Sequence, residues 1–298
     1  MVYKQLGSSS LQISQVSFGC MSLEDTTGNA IQLLNKAVSL GINFFDTADL
    51  YQKGFNEEMV GRAFKGKRKD VVIASKAGNQ WRADGSGWDW NPRKDYIITC
   101  AEKSLQRLQT DHIDLYQLHG GTLDDPIDET ISAFELLKQQ GKIRYYGISS
   151  IRPNVIREYI ERSHIVSVMM QYSLLDRRPE EECLGLLQEN NIGVLARGPV
   201  AKGLLAGKPA TSFLNYTAEE VKAAAKAIIK ASDEGRNASQ TAIRFVLNHR
   251  AITSAVVGIR TEEQLLDVAK TIDTPALLPE EMKALQQSIP VNKYDSHR

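Results

Sequence analysis

Residues 42–51 read INFFDTADLY. Ile42, Phe44 and Phe45 make a short run of β-branched and aromatic side chains, and Asp46 closes it, as a polar residue does where a buried strand leaves the interior. Seven other runs share that character: VSFG (16–19), VVIAS (71–75), IDLYQLH (113–119), IRYYGIS (143–149), VSVMM (166–170), IGVLA (192–196) and SAVVG (254–258). Segments with helical apolar spacing lie between them, among them AIQLLNKAVSL (30–40), DYIITCAEKSLQRL (95–108), TISAFELLKQQGK (130–142) and EECLGLLQENN (181–191). Several end in Gly or Asn, the residues preferred where a helix stops. Eight near-continuous apolar strands alternating with helices indicate parallel strands covered on both faces, and eight is the number that closes a (β/α)8 TIM barrel. The competing α/β arrangement is a doubly wound sheet. Its dinucleotide-binding form carries G-x-G-x-x-G between the first strand and the first helix, and no such motif occurs here.

Ahead of the first run, residues 2–6 and 11–14 flank Gly7 and three serines, which predicts an N-terminal β-hairpin placed to cap the main fold. No Pro-, Gly- or Ser-rich linker divides the 298 residues, so one domain spanning 1–298 is expected. Hydrophobic residues at 42% and charged residues at 24% exclude a disordered chain. Lys plus Arg balances Asp plus Glu at 36 each, which removes any global pull toward nucleic acid or an anionic membrane. Cys20, Cys100 and Cys183 are far apart, without metal-ligand spacing, and fit a reducing compartment without disulfides. No signal-like segment and no apolar stretch of about 18 residues is present, so a cytoplasmic protein is expected.

Three long connections stand out, at 77–93, 120–126 and 199–217. All follow strands and therefore belong to the C-terminal face of a barrel, where barrel enzymes carry their sites. Asp46 ends the second strand, Tyr51 lies in the loop after it, Lys76 follows the third and His119 ends the fourth. Neighbouring strands are only about 5 Å apart, so these four side chains can meet. Each has a plainer explanation: Asp46 as the cap of a helix starting near Thr47, Lys76 as a solvated lysine, Tyr51 as a rim residue, His119 as a structural histidine. All four plain explanations must hold together on one face, and the conjunction favours a site. The chemistry is coherent. Lys76 supplies a positive charge that lowers the pKa of Tyr51, Asp46 compensates and aims Lys76, and His119 orients a carbonyl. Such a group protonates an alkoxide as hydride reaches a carbonyl carbon.

The stretch GINFFDTADLYQKGFNEEMVG (41–61) resembles the first signature of the aldo-keto reductases, and VVIASKAG, DLYQLHGG, RYYGISS and VVGIRTEEQL resemble further family segments in the same order. The resemblance spans nearly the whole chain. It implies reduction of aldehydes or ketones with a nicotinamide cofactor, NADP being favoured and NAD the alternative, without a metal. It places Asp46, Tyr51, Lys76 and His119 on the catalytic tetrad, with Tyr51 as proton donor.

The same resemblance implies a set of cofactor contacts. Ser149 and Ser150 replace a Ser-Asn pair. Gln171 stands beside Tyr172 where the family has Q-x-x-Y, and Met169 is the rival for that role. Arg197 takes the place of an aromatic ring against the nicotinamide, where a planar guanidinium can stack. Gly198, Pro199, Val200 and Leu204 resemble the loop around the pyrophosphate. Gly258, Arg260, Thr261 and Gln264 match the adenosine-end motif, with Arg260 the natural partner of a 2'-phosphate. Gly19, Cys20 and Met21 match the segment ending the first strand, Cys20 standing for Thr, with packing as its other explanation. Trp81, Trp88 and Trp90 either roof a carbonyl substrate or cement their own loop.

Two other functions compete. A non-catalytic NADP(H)-binding regulatory subunit, resembling the potassium channel β subunits, shares the fold. Schiff-base chemistry at Lys76 is a second alternative, disfavoured by the Asp and Tyr at family spacing. The short polar tail SIPVNKYDSHR offers little to close a deep apolar pocket.

Overall fold

The computed structural model of the chain describes residues 1–23 and 28–298. Strands β1 (Tyr3–Gln5) and β2 (Gln12–Ser14) pair antiparallel, with Tyr3 opposite Ser14. The chain then enters β3 (Val16–Gly19), β4 (Phe44–Asp46) and β5 (Val72–Ala77), makes a short antiparallel ribbon of β6 (Asn79–Trp81) and β7 (Trp88–Trp90), and continues through β8 (Ile113–Leu118), β9 (Ile143–Ser149), β10 (Ser167–Gln171), β11 (Gly193–Arg197) and β12 (Ile252–Gly258). Strands β3, β4, β5 and β8 to β12 form one closed parallel barrel in chain order, with β12 beside β3. All eight apolar runs are barrel strands, and the hairpin precedes them as expected.

Ten α-helices accompany the strands among the described residues. They are α1 (Asn29–Ser39), α2 (Phe55–Phe64), α3 (Lys94–Leu108), α4 (Ile127–Gln139), α5 (Pro153–Arg162), α6 (Cys183–Glu189), α7 (Ala218–Lys230), α8 (Ala238–Leu247), α9 (Glu262–Ala269) and α10 (Pro279–Gln287). No helix of the described residues is long and apolar enough to cross a membrane.

Strand alternation divides the core in two. Phe44, Ala74, Leu115, Met169, Leu195 and Val256 fill the barrel interior, while Phe45, Ile73, Tyr116, Val168 and their equivalents pack against the helices. Burying one such Leu or Phe contributes about 1.5–3 kcal/mol, so the two layers together dominate stability. Leu6, Leu11 and Ile13 of the hairpin join the interior cluster and plug the N-terminal end of the barrel. Gly7 (φ +53) permits this approach, because a Cβ there would run into the carbonyl oxygen of Val166 and the backbone nitrogen of Gly193. Below the interior layer, the Ser17 and Ser254 hydroxyls meet at 2.6 Å and both lie within hydrogen-bond distance of the Ser14 carbonyl, so that one donates to the carbonyl and the other to its partner hydroxyl.

The same parity builds the opposite mouth. Two residues beyond each interior apolar residue, the chain presents Asp46, Lys76, Gln117, Gln171, Arg197 and Gly258 in turn. With the floor plugged by leucine and isoleucine, every polar strand end of this series gathers at the C-terminal face.

Candidate active site

Lys76 Nζ is the centre of the mouth. It donates to Asp46 Oδ2 at 2.7 Å, to the Thr47 carbonyl at 2.8 Å and to Tyr51 Oη at 3.2 Å, and it stands 4.9 Å from the centroid of the Tyr51 ring. Lys76 is 0% exposed and Asp46 4%. The plain explanations of both residues fail here: among the described residues Asp46 caps no helix, the helical segments that follow being capped by Leu50 and Gly54, and Lys76 is not solvated. His119 lies edge-on to Tyr51 with ring centroids 5.8 Å apart. The sequence expectation that four separated residues meet at one place is therefore met in space.

The loop carrying Tyr51 is fixed from below. Thr47 Oγ1 donates to Asn56 Oδ1 at 2.7 Å, and Asn56 Nδ2 donates to the Cys20 carbonyl at 2.9 Å, tying the end of β4 and the start of α2 to the end of β3. Directly after Tyr51, Gln52 and Lys53 both adopt left-handed backbone, with φ of 50° and 55°. That conformation costs a non-glycine residue on the order of 1 kcal/mol, and the bond from Gln52 Nε2 to the Leu23 carbonyl helps offset it.

Electrostatics correct one expectation. Tyr51 was expected to have a lowered pKa, but its phenol stands above its ordinary value: burial raises it, Lys76 pulls the other way, and Asp46 again raises it. Desolvation outweighs the ammonium, so the group keeps its proton, as a donor must. Burial opposes the charge on Lys76, yet Asp46 and Tyr51 outweigh burial and hold the ammonium above its ordinary range. Burial pushes the Asp46 carboxyl up against the pull of Lys76; the 2.7 Å contact keeps the two as an ion pair. Gln117 lies close enough to favour the carboxylate, although among the described residues neither of its amide atoms makes a hydrogen bond of ordinary geometry. His119 is pushed down to about 3 by burial and by the charges of Lys76 and Arg197, so its imidazole is neutral across the physiological range. Its Nδ1 is buried without a partner among the described residues.

The residues implied for a cofactor surround this centre. Gln171 ends β10 level with Arg197 at the end of β11, and Arg197 Nη1 donates to Gln171 Oε1 at 2.9 Å. Met169 lies one interior layer deeper, 2% exposed, so Gln171 rather than Met169 reaches the mouth. Arg197 is exposed to solvent, yet its guanidinium is crowded by the mouth and held below its ordinary pKa by that crowding against the pull of Tyr51, Asp176 and Asp46. Ser149 ends β9, and Ser150 is buried with its hydroxyl accepting from the Arg152 backbone nitrogen at 3.2 Å. Gly19 and Gly258 stand side by side at the ends of β3 and β12. A Cβ on Gly258 would meet Ser22 Oγ at 2.6 Å, so any larger residue there would have to turn that hydroxyl away. Met21 is 65% exposed, and Cys20 packs as a core residue with its thiol pushed well up by burial.

Beyond Arg197 come Gly198, Pro199 and Val200. Leu204 then lines, with Lys202, Lys208 and Phe213, a cavity of about 440 Å³. Two lysines beside an open cavity suit an anionic ligand. Arg260 is exposed, and its backbone nitrogen donates to Gln264 Oε1 at 2.9 Å, while Gln264 N donates to the N-cap hydroxyl of Thr261 at 3.2 Å. These features, a bare glycine pair, an unpartnered His119 nitrogen and a lysine-lined cavity, fit a dinucleotide laid across the mouth.

The tryptophans divide. Trp90 packs over Gly78 and Gly120 and donates from Nε1 to Asp125 Oδ1 at 2.8 Å, which binds the ribbon to the loop after β8. Trp88 is 52% exposed and meets Trp81 edge-on at 5.7 Å, with Lys53 Nζ 5.1 Å over the Trp81 ring. Trp90 thus cements the loop, and the Trp81–Trp88 pair remains at the rim. Sequence reading missed the ribbon itself, Gln117 level with Lys76 on the neighbouring strand, Asn56 bonded to Thr47 and the Cys20 carbonyl, and a polar chain from Gln171 toward the tail. The tail is anchored despite its polarity: Tyr294 is buried, Asn292 Oδ1 accepts from the Arg177 backbone nitrogen, and Arg298 Nη2 donates to Glu181.

Comparison with known proteins agrees with this geometry. The model of the Aldo/keto reductase family matches residues 15–290. The oxidoreductase YqkF of Bacillus subtilis (strain 168) is 49% identical over 304 aligned positions, 99% of each chain. Aldo-keto reductase yakc [NADP(+)] of Schizosaccharomyces pombe is 35% identical over 65% of this chain and 60% of its own. The solved holo form of aldo-keto reductase AKR11C1 from Bacillus halodurans superimposes with a TM-score of 0.94 at 47% identity, covering 100% of this chain and 99% of that one. The chain belongs to the aldo/keto reductase family and is an NAD(P)H-dependent reductase.

Proposed function

We propose that the chain reduces small or medium aldehydes and ketones to alcohols, with NADPH preferred and Tyr51 as the proton donor. The observation that carries the reading is the single ammonium of Lys76 bonded at once to Asp46, Thr47 and Tyr51 in a solvent-poor mouth. A reduced nicotinamide supplies the hydride when bound. The protein's part is proton transfer and orientation. A carbonyl oxygen placed beside Tyr51 Oη and the neutral His119 ring takes the phenolic proton as negative charge develops on it. Lys76 then stabilises the phenolate left behind, and Asp46 keeps Lys76 aimed. General acid catalysis of this kind is worth roughly 10²–10⁴ in rate.

In this reading Ser149, Ser150, Gln171 and Arg197 would hold the nicotinamide end, Gly198, Pro199, Val200 and Leu204 the pyrophosphate, and Arg260 a 2'-phosphate. Preference for NADP is supported by the exposed Arg260 guanidinium and by the name of the Schizosaccharomyces pombe relative. The Bacillus halodurans relative was solved in a holo form, which supports a bound nucleotide. NAD is the second reading, because Gln264 spends its side chain on the Arg260 backbone nitrogen. The test is cofactor consumption by the purified chain with NADPH or NADH across a panel of aldehydes and ketones. Oxidation of NADPH that depends on the carbonyl is expected; tight NADPH binding without turnover of any member would assign the chain to the regulatory alternative.

A further inference from the structure

Four polar side chains join end to end from the barrel mouth toward the C-terminal tail. Arg197 Nη1 donates to Gln171 Oε1 at 2.9 Å, and Gln171 Nε2 donates to Asp176 Oδ2 at 2.9 Å. Arg178 grips both oxygens of Asp176, Nε to Oδ1 and Nη2 to Oδ2, at 2.8 Å each. The Arg178 guanidinium lies 5.2 Å over the ring of Tyr294. Asp176 is fully buried and closes a tight turn in which its backbone and that of Ser173 exchange two hydrogen bonds.

Only one orientation of the Gln171 amide satisfies this chain. A guanidinium has donors and no acceptor, and an ionised carboxylate has acceptors and no donor. Gln171 must therefore turn its carbonyl to Arg197 and its NH2 to Asp176, and both neighbours demand the same choice. Flipping the amide would break two hydrogen bonds and set like groups against each other at both ends. The two-oxygen grip of Arg178 stops Asp176 from turning away, and it compensates a charge that would otherwise be buried alone.

We propose that Asp176 is a positioning residue that fixes the Gln171 amide so that only its carbonyl oxygen faces the barrel mouth, making the site selective for an N–H donor such as the carboxamide NH2 of the nicotinamide ring. This rests on the reading that a nicotinamide lies beside Gln171. Arg197 uses one lone pair of Oε1, and the second is available to the ligand. A site whose polar group is fixed in this way rejects an analogue lacking the matching donor, because the carbonyl is then left unpaired.

Equilibrium binding tests this apart from turnover. NADP+ and its 3-acetylpyridine analogue, which carries CH3 in place of NH2, are titrated into the wild-type chain, Asp176→Asn, Gln171→Met and the double variant. The wild type is expected to hold NADP+ about tenfold more tightly than the analogue, the worth of one hydrogen bond. In Asp176→Asn the new amide can offer Gln171 either a donor or an acceptor, leaving only the solvent-exposed bond from Arg197 to hold the carbonyl toward the mouth, so the preference should shrink to about twofold or less. Gln171→Met should show the same loss, and the double variant no more. A wild-type preference ratio retained in Asp176→Asn overturns the assignment while leaving the reductase reading intact; absence of nucleotide binding to the wild type overturns both. Should Asp176→Asn fail to fold, the wild type decides by NMR. The Gln171 side-chain NH2, identified by its loss in Gln171→Met, should stay slow to exchange when NADP+ is added, and fast exchange of both protons overturns the assignment.

Discussion

Lys76 and Asp46 meet at 2.7 Å with side chains only 1% and 6% exposed, so neither charge has solvent to fall back on. Removing one partner from such a pair typically costs about 3–5 kcal/mol, because the other is left buried and unpaired. Asp46→Asn keeps the shape and removes the charge. Lys76 then loses its strongest opposing charge, and burial pushes the ammonium toward neutrality. Turnover should fall by about 10² or more, since neutral Lys76 no longer stabilises a Tyr51 phenolate. Steady-state kinetics with a urea melt of the same sample separate this from unfolding; an unchanged turnover number removes the pair from the mechanism.

Tyr51→Phe deletes one oxygen and keeps the ring beside His119. Lys76 retains Asp46 and the Thr47 carbonyl, so stability should change by less than about 1 kcal/mol. Cofactor affinity should stay within about twofold while turnover drops by roughly 10²–10⁴. Turnover within tenfold of wild type would give the proton to another group.

Cofactor choice turns on Arg260, which is exposed and free to meet a 2'-phosphate through its fork of donors. Arg260→Ala should raise the Michaelis constant for NADPH by about tenfold and leave that for NADH nearly unchanged. Equal losses with both would place Arg260 outside 2'-phosphate recognition.

Much of this was legible because strand period and burial coincide. INFFD places Phe44 and Asp46 on one face, and the plugged floor sends every such polar end to one mouth. What sequence could not reveal depends on depth and on partner choice. Met169 and Gln171 both point inward, and only the register with β11 shows that Gln171 is the one level with Arg197. The sign of the Tyr51 shift was misjudged because a neighbouring ammonium is readable from spacing, whereas the desolvation that outweighs it belongs to the packed mouth. The anchoring of the tail could not be read locally because its partners, Glu181 and Arg177, lie more than 100 residues earlier.

His119 should show its neutrality in solution. Its folded-state pKa of about 3 lies below the usual 6.5, so between those values the unfolded chain binds more protons and stability falls as pH falls. The contribution is fully present above about pH 6.5 and amounts to about 5 kcal/mol at most. His119→Gln should flatten that slope. An imidazole in the folded protein that titrates near pH 6.5 by NMR contradicts the assignment.

Asp49, two residues before Tyr51, acts with the opposite sign. Its carboxyl is raised to about 7 by burial and by Glu57, with Cys100 and Arg107 pulling down, and its Oδ1 has no hydrogen-bond partner among the described residues. Glu57 is itself buried and committed to Ser75 and Arg107. Between the ordinary carboxyl value of about 3.8 and about 7, the folded state holds the proton that the unfolded chain has lost, so this group's contribution falls as pH rises through that window and is gone above it. Its size is at most about 4 kcal/mol. Because His119 gains over an overlapping window, the two slopes oppose each other and the wild-type profile alone shows little. Asp49→Asn removes one of them. Denaturant melts at pH 5 and pH 8 should show the variant gaining on wild type as pH rises, while His119→Gln shows its smallest advantage at pH 8; an Asp49→Asn difference that is equal at both pH values would mean that Asp49 is ionised throughout.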